Sequence, residues 1–142
     1  MPVVDFGNNR GLFTYNNATS SWNRITGWDN GSDIMICGSD LIVDFGQGRG
    51  MYKNNGSNWS NLSDLDDTSD MLAWGSDIVV DFGNGRGLYE YSSGWNQLTD
   101  WDDTTDMLVC GTNLYVDFGP GRGISSYNGS TWTPLTEWST AD

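Results

Sequence analysis

Four of the chain's six basic residues, Arg10, Arg49, Arg86 and Arg122, occupy one recurring position, five residues after the Asp of a Val-Asp-Phe-Gly motif. A second recurring position carries Trp28, Leu65, Trp101 and Trp138. A guanidinium is a planar donor with a rigid hydrogen-bonding fork, and an indole offers a broad apolar face. Aromatics beside Arg, Asp and Asn are what carbohydrate sites use, since sugars present apolar C–H faces and hydroxyl rims. Arg10, Arg49, Arg86, Arg122, Trp28, Trp101 and Trp138 are therefore the candidate sugar-binding residues, and Leu65 predicts a weakened site in repeat 2. A structural role stays open for both sets. The Arg can pair with the Asp five residues earlier or stack on a Trp, and the second-position Trp can be core.

Other chemistries fail on composition. The 142 residues include no His, which removes His-dependent acid–base and nucleophilic schemes. The acids recur in register, whereas an active site is normally unique, so no enzyme and no cofactor are expected. Asp-Phe-Gly also occurs in the kinase metal-binding motif, but the other kinase signatures are missing. The Gly-x-Gly-Arg-Gly turns are not followed by a helix and form no dinucleotide cradle. The acidic stretches Asp29–Asp33, Asp66–Asp70 and Asp102–Asp106 do not match the EF-hand pattern. They read as Asx-turns between repeats, and no metal is expected.

A net charge of −13 repels phosphate backbones, which excludes nucleic acid and anionic membrane surfaces as expected partners. No apolar run approaches the roughly 20 residues of a membrane helix. The opening Met-Pro-Val-Val-Asp-Phe-Gly lacks a signal core, so no secretion is read and the location is left unassigned. The sequons at Asn17, Asn30, Asn55, Asn58, Asn61 and Asn128 are accordingly read as turn composition rather than glycosylation sites. Cys37 and Cys110 share one repeat position and are expected to be buried free thiols, too far apart to bridge.

What positions the candidate residues is a tandem repeat of roughly 37 residues. The motif Asp falls at Asp5, Asp44, Asp81 and Asp117, a first-set Trp at Trp22, Trp59, Trp95 and Trp132, and a closing Asp at Asp33, Asp70, Asp106 and Asp142. The first-set Trp is complete in all copies and is assigned to packing. Length varies just before it, in Asn/Gly/Ser stretches typical of hairpin tips. Each repeat reads as four short strands. The first covers Ile34–Cys37, Met71–Trp74 and Met107–Cys110. The second covers Val3–Phe6, Leu41–Phe45, Ile78–Phe82 and Leu114–Phe118. The third follows the Gly-rich turn, and the fourth starts at the Trp. Bulky residues of the fourth fall at every third position, as in Trp95, Leu98 and Trp101, which is not the period of a strand; a sheet packed on both faces would account for it.

The predicted fold is an all-β propeller of four tandem four-stranded repeats in one domain, 1–142, divided at 1–33, 34–70, 71–106 and 107–142. Repeat 1 lacks its first strand, which leaves an edge. This points either to a homo-oligomer completing a larger ring or to a shortened chain.

The succession of apolar strand, Val-Asp-Phe-Gly, Gly-Arg-Gly-Leu-Tyr and Trp-x-x-Leu-Thr-x-Trp resembles the short-blade propeller repeats over the whole chain. In style it resembles the lectin propellers of the tachylectin type and the fungal and bacterial propeller lectins. That resemblance implies a sugar site in each blade or between blades, and transfers no individual binding residue. The expected function is a multivalent, non-catalytic glycan-binding protein. The alternative is a structural or protein-binding scaffold, amplified or engineered, with no evolved small-molecule ligand.

Overall fold

The computed structural model describes residues 2–28, 33–46, 48–65, 68–83, 85–101 and 104–136. All regular elements among them are strands, arranged in four separate meanders. The first has three strands: β1 (Val3–Asp5), β2 (Leu12–Asn16) and β3 (Ser21–Thr26). The second is β4 (Asp33–Cys37), β5 (Asp40–Asp44), β6 (Met51–Asn54) and β7 (Trp59–Ser63). The third is β8 (Asp70–Trp74), β9 (Asp77–Asp81), β10 (Leu88–Tyr91) and β11 (Trp95–Thr99). The fourth is β12 (Asp106–Cys110), β13 (Asn113–Asp117), β14 (Ile124–Tyr127) and β15 (Trp132–Thr136). Each sheet keeps its strands in chain order, and repeat 1 lacks its first strand as expected.

The first strands begin one residue earlier than the apolar run predicts, on the closing Asp itself. Its Oδ1 accepts the next backbone N–H: Ile34 on Asp33 at 2.9 Å, Met71 on Asp70 at 2.9 Å and Met107 on Asp106 at 2.8 Å. A short polar side chain that bonds the next residue's backbone starts the strand, and hydrophobic pattern cannot reveal that.

The second strands form the core. Ile42 and Val43, and likewise Val79 and Val80, are consecutive and fully buried. Successive strand residues point to opposite faces, so both faces of these sheets are covered. Each such side chain contributes about 1.5–3 kcal/mol of burial.

The every-third spacing in the fourth strand has a different cause from two-sided packing. The ladder pairs Leu88 with Thr99 and then Tyr89 with Gln97, so Leu98 is an extra, unpaired residue: a β-bulge. The same slip leaves out Ile25, Leu62 and Leu135 in the other repeats. A bulge shifts the alternation by one residue, and period two becomes three at that point.

Cα packing separates two compact units, one within residues 1–34 and 42–66, the other within 35–41 and 67–142. In the second unit, Val79 and Leu88 of repeat 3 share a core with Met107, Leu114, Val116, Phe118 and Tyr127 of repeat 4. The two cysteines differ, against expectation. Cys37 is buried, its thiol 3.3 Å from the carbonyl of Asp77, while Cys110 is exposed. Residues at this strand end reach into the turn of the following repeat, as Trp74 Nε1 does to the carbonyl of Thr112 at 3.0 Å. Cys110, in the fourth repeat, has no such turn over it among the described residues.

Candidate ligand pockets between consecutive repeats

The motif Asp builds the turn that carries the Arg. In each repeat its Oδ1 accepts the N–H of the Gly two residues on, from Asp5 to Gly7 at 2.8 Å, Asp44 to Gly46 at 2.9 Å, Asp81 to Gly83 at 2.8 Å and Asp117 to Gly119 at 2.9 Å. The Arg N–H then donates back to that Gly carbonyl, for example Arg49 to Gly46 at 2.9 Å and Arg122 to Gly119 at 3.1 Å. Asp81 uses its second oxygen as well, accepting Thr104 N at 3.0 Å and Thr104 Oγ1 at 2.7 Å. In repeats 2, 3 and 4 this Asp is buried, a hub on which the turn is built.

The second-set Trp is aimed by the Thr two residues before it, whose hydroxyl accepts the Trp backbone N–H. Trp28 bonds Thr26 and Trp101 bonds Thr99, both at 3.1 Å. Ser63 does the same for Leu65 at 3.0 Å. This short hydrogen-bonded turn after the fourth strand swings the ring onto the next repeat. Trp28 meets Phe45 edge-on at 5.4 Å and Tyr52 at 5.5 Å; Trp101 meets Phe118 at 5.3 Å. These are favourable T-shaped geometries.

Arg and second-set Trp, separated by about twenty residues in sequence, come together. The Arg49 guanidinium lies 5.3 Å over the Trp28 ring and that of Arg122 lies 5.0 Å over Trp101. This is the stacked arrangement left open by the sequence, worth about 0.5–1 kcal/mol where exposed. Arg10 is exposed on the first repeat's turn. Arg86 is half-buried, and its Nη1 has no hydrogen-bond partner among the described residues. Trp138 and Asp142, and the middles of the three acidic stretches, lie outside the described residues.

Beside each stacked pair is an aromatic pocket. One, of about 200 Å³, is lined by Thr26, Trp28, Phe45, Tyr52 and Trp59. The other, of about 260 Å³, is lined by Thr99, Trp101, Phe118, Ser125, Trp132 and Pro134. Five positions correspond between the two sets and Pro134 is added in the second, so repeats 1 and 2 build a cleft like that of repeats 3 and 4. The Arg residues are not among these walls. The walls include instead a first-set Trp, which the repeat pattern assigns to packing alone. Trp59 and Trp132 are half-buried. Each donates its indole N–H to a bulge carbonyl of the preceding repeat, Trp59 to Ile25 at 3.1 Å and Trp132 to Leu98 at 3.2 Å. The bulge frees the carbonyl from the ladder, and the indole satisfies it. The sequence shows the every-third spacing beside the recurring Trp, but not that this spacing marks a bulge.

The pockets carry little charge, while a separate acidic cluster lies in repeat 3. Burial raises the Glu90 carboxyl above its ordinary 4.5, helped by the hydrogen bond its protonated form donates to Asp77 and by the charge of Asp77. Burial, with the charge of Glu90, also raises the Tyr127 hydroxyl. Asp33 is raised by burial and by Asp44, against the Ile34 N–H that lowers it. The folded protein therefore holds the Glu90 proton more tightly than the unfolded chain. The associated stability is full below the unfolded value and is lost as pH rises through the folded one. Glu90→Gln keeps a neutral hydrogen-bonding group at every pH. Solvent screens this half-buried pair and keeps the effect small. The stability of the variant relative to wild type is expected to grow by about 0.5 kcal/mol from about pH 4 to about pH 7, read from thermal midpoints at both pH values.

Among the described residues no group of three or more Cys, Asp or Glu is placed to hold a metal ion. Comparison with protein-family models, curated proteins and solved structures finds no match, so the chemistry of the pockets themselves carries the functional reading.

Proposed function

We propose that the chain is a non-catalytic, propeller-like lectin that binds carbohydrate in the aromatic pockets between consecutive repeats. The observation that carries this reading is the recurrence of one cleft, walled by Trp, Phe and Trp and edged by Thr and either Tyr or Ser hydroxyls. Its volume is below the roughly 300–1,000 Å³ typical of drug-sized ligands, which suits a single sugar ring. The indole faces would stack on the C–H face of the sugar. Thr26 and Tyr52, or Thr99 and Ser125, would bond its rim. Arg49 and Arg122 would act by holding the Trp ring, and the repetition would multiply weak sites.

A second reading has its own support. The Trp59 and Trp132 N–H groups, the motif Asp carboxylates and the Arg49 and Arg122 faces have partners within the chain, as a scaffold that serves only the fold requires. Binding to a glycan array separates the two. The wild type is expected to bind one sugar class, Trp101→Ala to weaken binding at the pocket of repeats 3 and 4 about tenfold, and the Trp28→Ala/Trp101→Ala double variant to lose the signal. A blank array with folded wild-type protein leaves the scaffold.

A further inference from the structure

We propose that repeats 1 and 4 carry the two halves of one interface, and that the chain associates head to tail with a second copy of itself through them. The interface is defined inside the chain. At the junction of repeats 1 and 2, and again at that of repeats 3 and 4, the later repeat offers a first-set indole N–H and the motif Phe. The earlier repeat offers the bulge carbonyl and the second-set Trp. Trp59 bonds the Ile25 carbonyl and Phe45 packs on Trp28; Trp132 bonds the Leu98 carbonyl and Phe118 packs on Trp101.

Repeat 1 presents the later-repeat half uncovered. Phe6 is 39% exposed and Trp22 is 45% exposed, whereas the equivalent Phe45 and Phe118 are 1% and 4% exposed. The two rings are already edge-packed on each other at 5.3 Å, so the donor face is formed before anything binds. No acceptor among the described residues meets the Trp22 indole N–H. Repeat 4 presents the bulge carbonyl of the complementary half. Leu135 is its bulge residue, 53% exposed, whereas the equivalent Ile25 and Leu98 are half-buried. Among the described residues no indole meets the Leu135 carbonyl.

A donor face and an acceptor face that match each other, and not themselves, make a heterologous contact. A second copy supplies both halves in the geometry found at the junctions of repeats 1 and 2 and of repeats 3 and 4. The bond would run from Trp22 Nε1 of one copy to the Leu135 carbonyl of the next, with Phe6 covered by the fourth repeat. This goes beyond the sugar-binding reading and does not depend on it.

Sedimentation velocity over a wide concentration range tests the proposal. The wild type is expected to show a concentration-dependent mass above one chain. Trp22→Ala, which removes a central aromatic anchor, is expected to weaken association about 30-fold. Trp22→Phe, which keeps a ring beside Phe6 but no N–H, is expected to weaken it too, and so is Leu135→Arg. Both positions are exposed, so circular dichroism should report unchanged folding. Mixing Trp22→Ala with Leu135→Arg leaves one intact face on each, and a one-to-one complex should reappear. A wild type that stays a single chain at every concentration overturns the proposal, as does an oligomer that Trp22→Ala leaves intact.

Discussion

Asp81→Ala is expected to lower stability by about 3–5 kcal/mol, because it removes one fully buried carboxylate and strands three donors at once. The Gly83 N–H, the Thr104 N–H and the Thr104 hydroxyl all lose their acceptor. One effect opposes this. Asp81 stands directly opposite Asp70 in the ladder, and removing a like-charge neighbour returns about 0.2–1 kcal/mol. Three charge-assisted bonds outweigh that. Asp81→Asn keeps one acceptor oxygen for Gly83 but turns an amide N–H₂ toward Thr104, so about 2 kcal/mol is expected. Urea unfolding midpoints provide the measurement. A midpoint for Asp81→Ala within about 0.5 kcal/mol of wild type would mean that the turn does not depend on its Asp.

Gly50→Ala is expected to be nearly as costly, for a steric reason. Gly50 has a φ of +87°, and a Cβ there would overlap the backbone carbonyl oxygen of Ser63. Ser63 is the ladder partner of Met51 beside the bulge, so its carbonyl cannot retreat without loss of register. The left-handed backbone costs about 1–2 kcal/mol for a residue with a Cβ, and the overlap brings the total to about 3 kcal/mol or more. Gly38 supplies the control. Its φ is +62°, and no atom lies within 4 Å of the place an alanine methyl would take, so Gly38→Ala should cost about 1 kcal/mol. Equal thermal shifts for the two variants would refute the packing argument and leave only backbone conformation.

Much of this architecture is legible in the sequence, for identifiable reasons. Turn clusters and a fixed repeat mark the strands, because Gly, Asn, Ser and Asp stand where the chain must reverse. Consecutive apolar residues such as Ile42 and Val43 announce sheets covered on both faces. The bulge at Leu98 is not legible, since a strand with one extra residue looks like a failed alternation until its partner is known. The closing Asp falls outside the strand that pattern predicts because its role is to accept a hydrogen bond from the backbone N–H of the next residue. Of the candidate site, the repeat pattern names Arg and the second-set Trp, and the structure stacks Arg49 on Trp28 and Arg122 on Trp101. Pattern alone cannot show that the Arg supports the Trp from outside the pocket, or that Trp59 and Trp132 form walls. Both depend on which repeat a side chain leans toward, and periodicity within one repeat carries no such information.

The bulge that puts Ile25 and Leu98 out of their ladders also sets the smallest piece of this chain able to fold by itself. A repeat cut out alone keeps its meander but loses the indole that satisfies its spare carbonyl and the ring that covers its motif Phe. Its free energy therefore lacks the nearest-neighbour contribution on which repeat proteins depend. Two adjoining repeats supply that contribution once. Two neighbouring repeats should accordingly be more stable joined than the same two repeats cut apart.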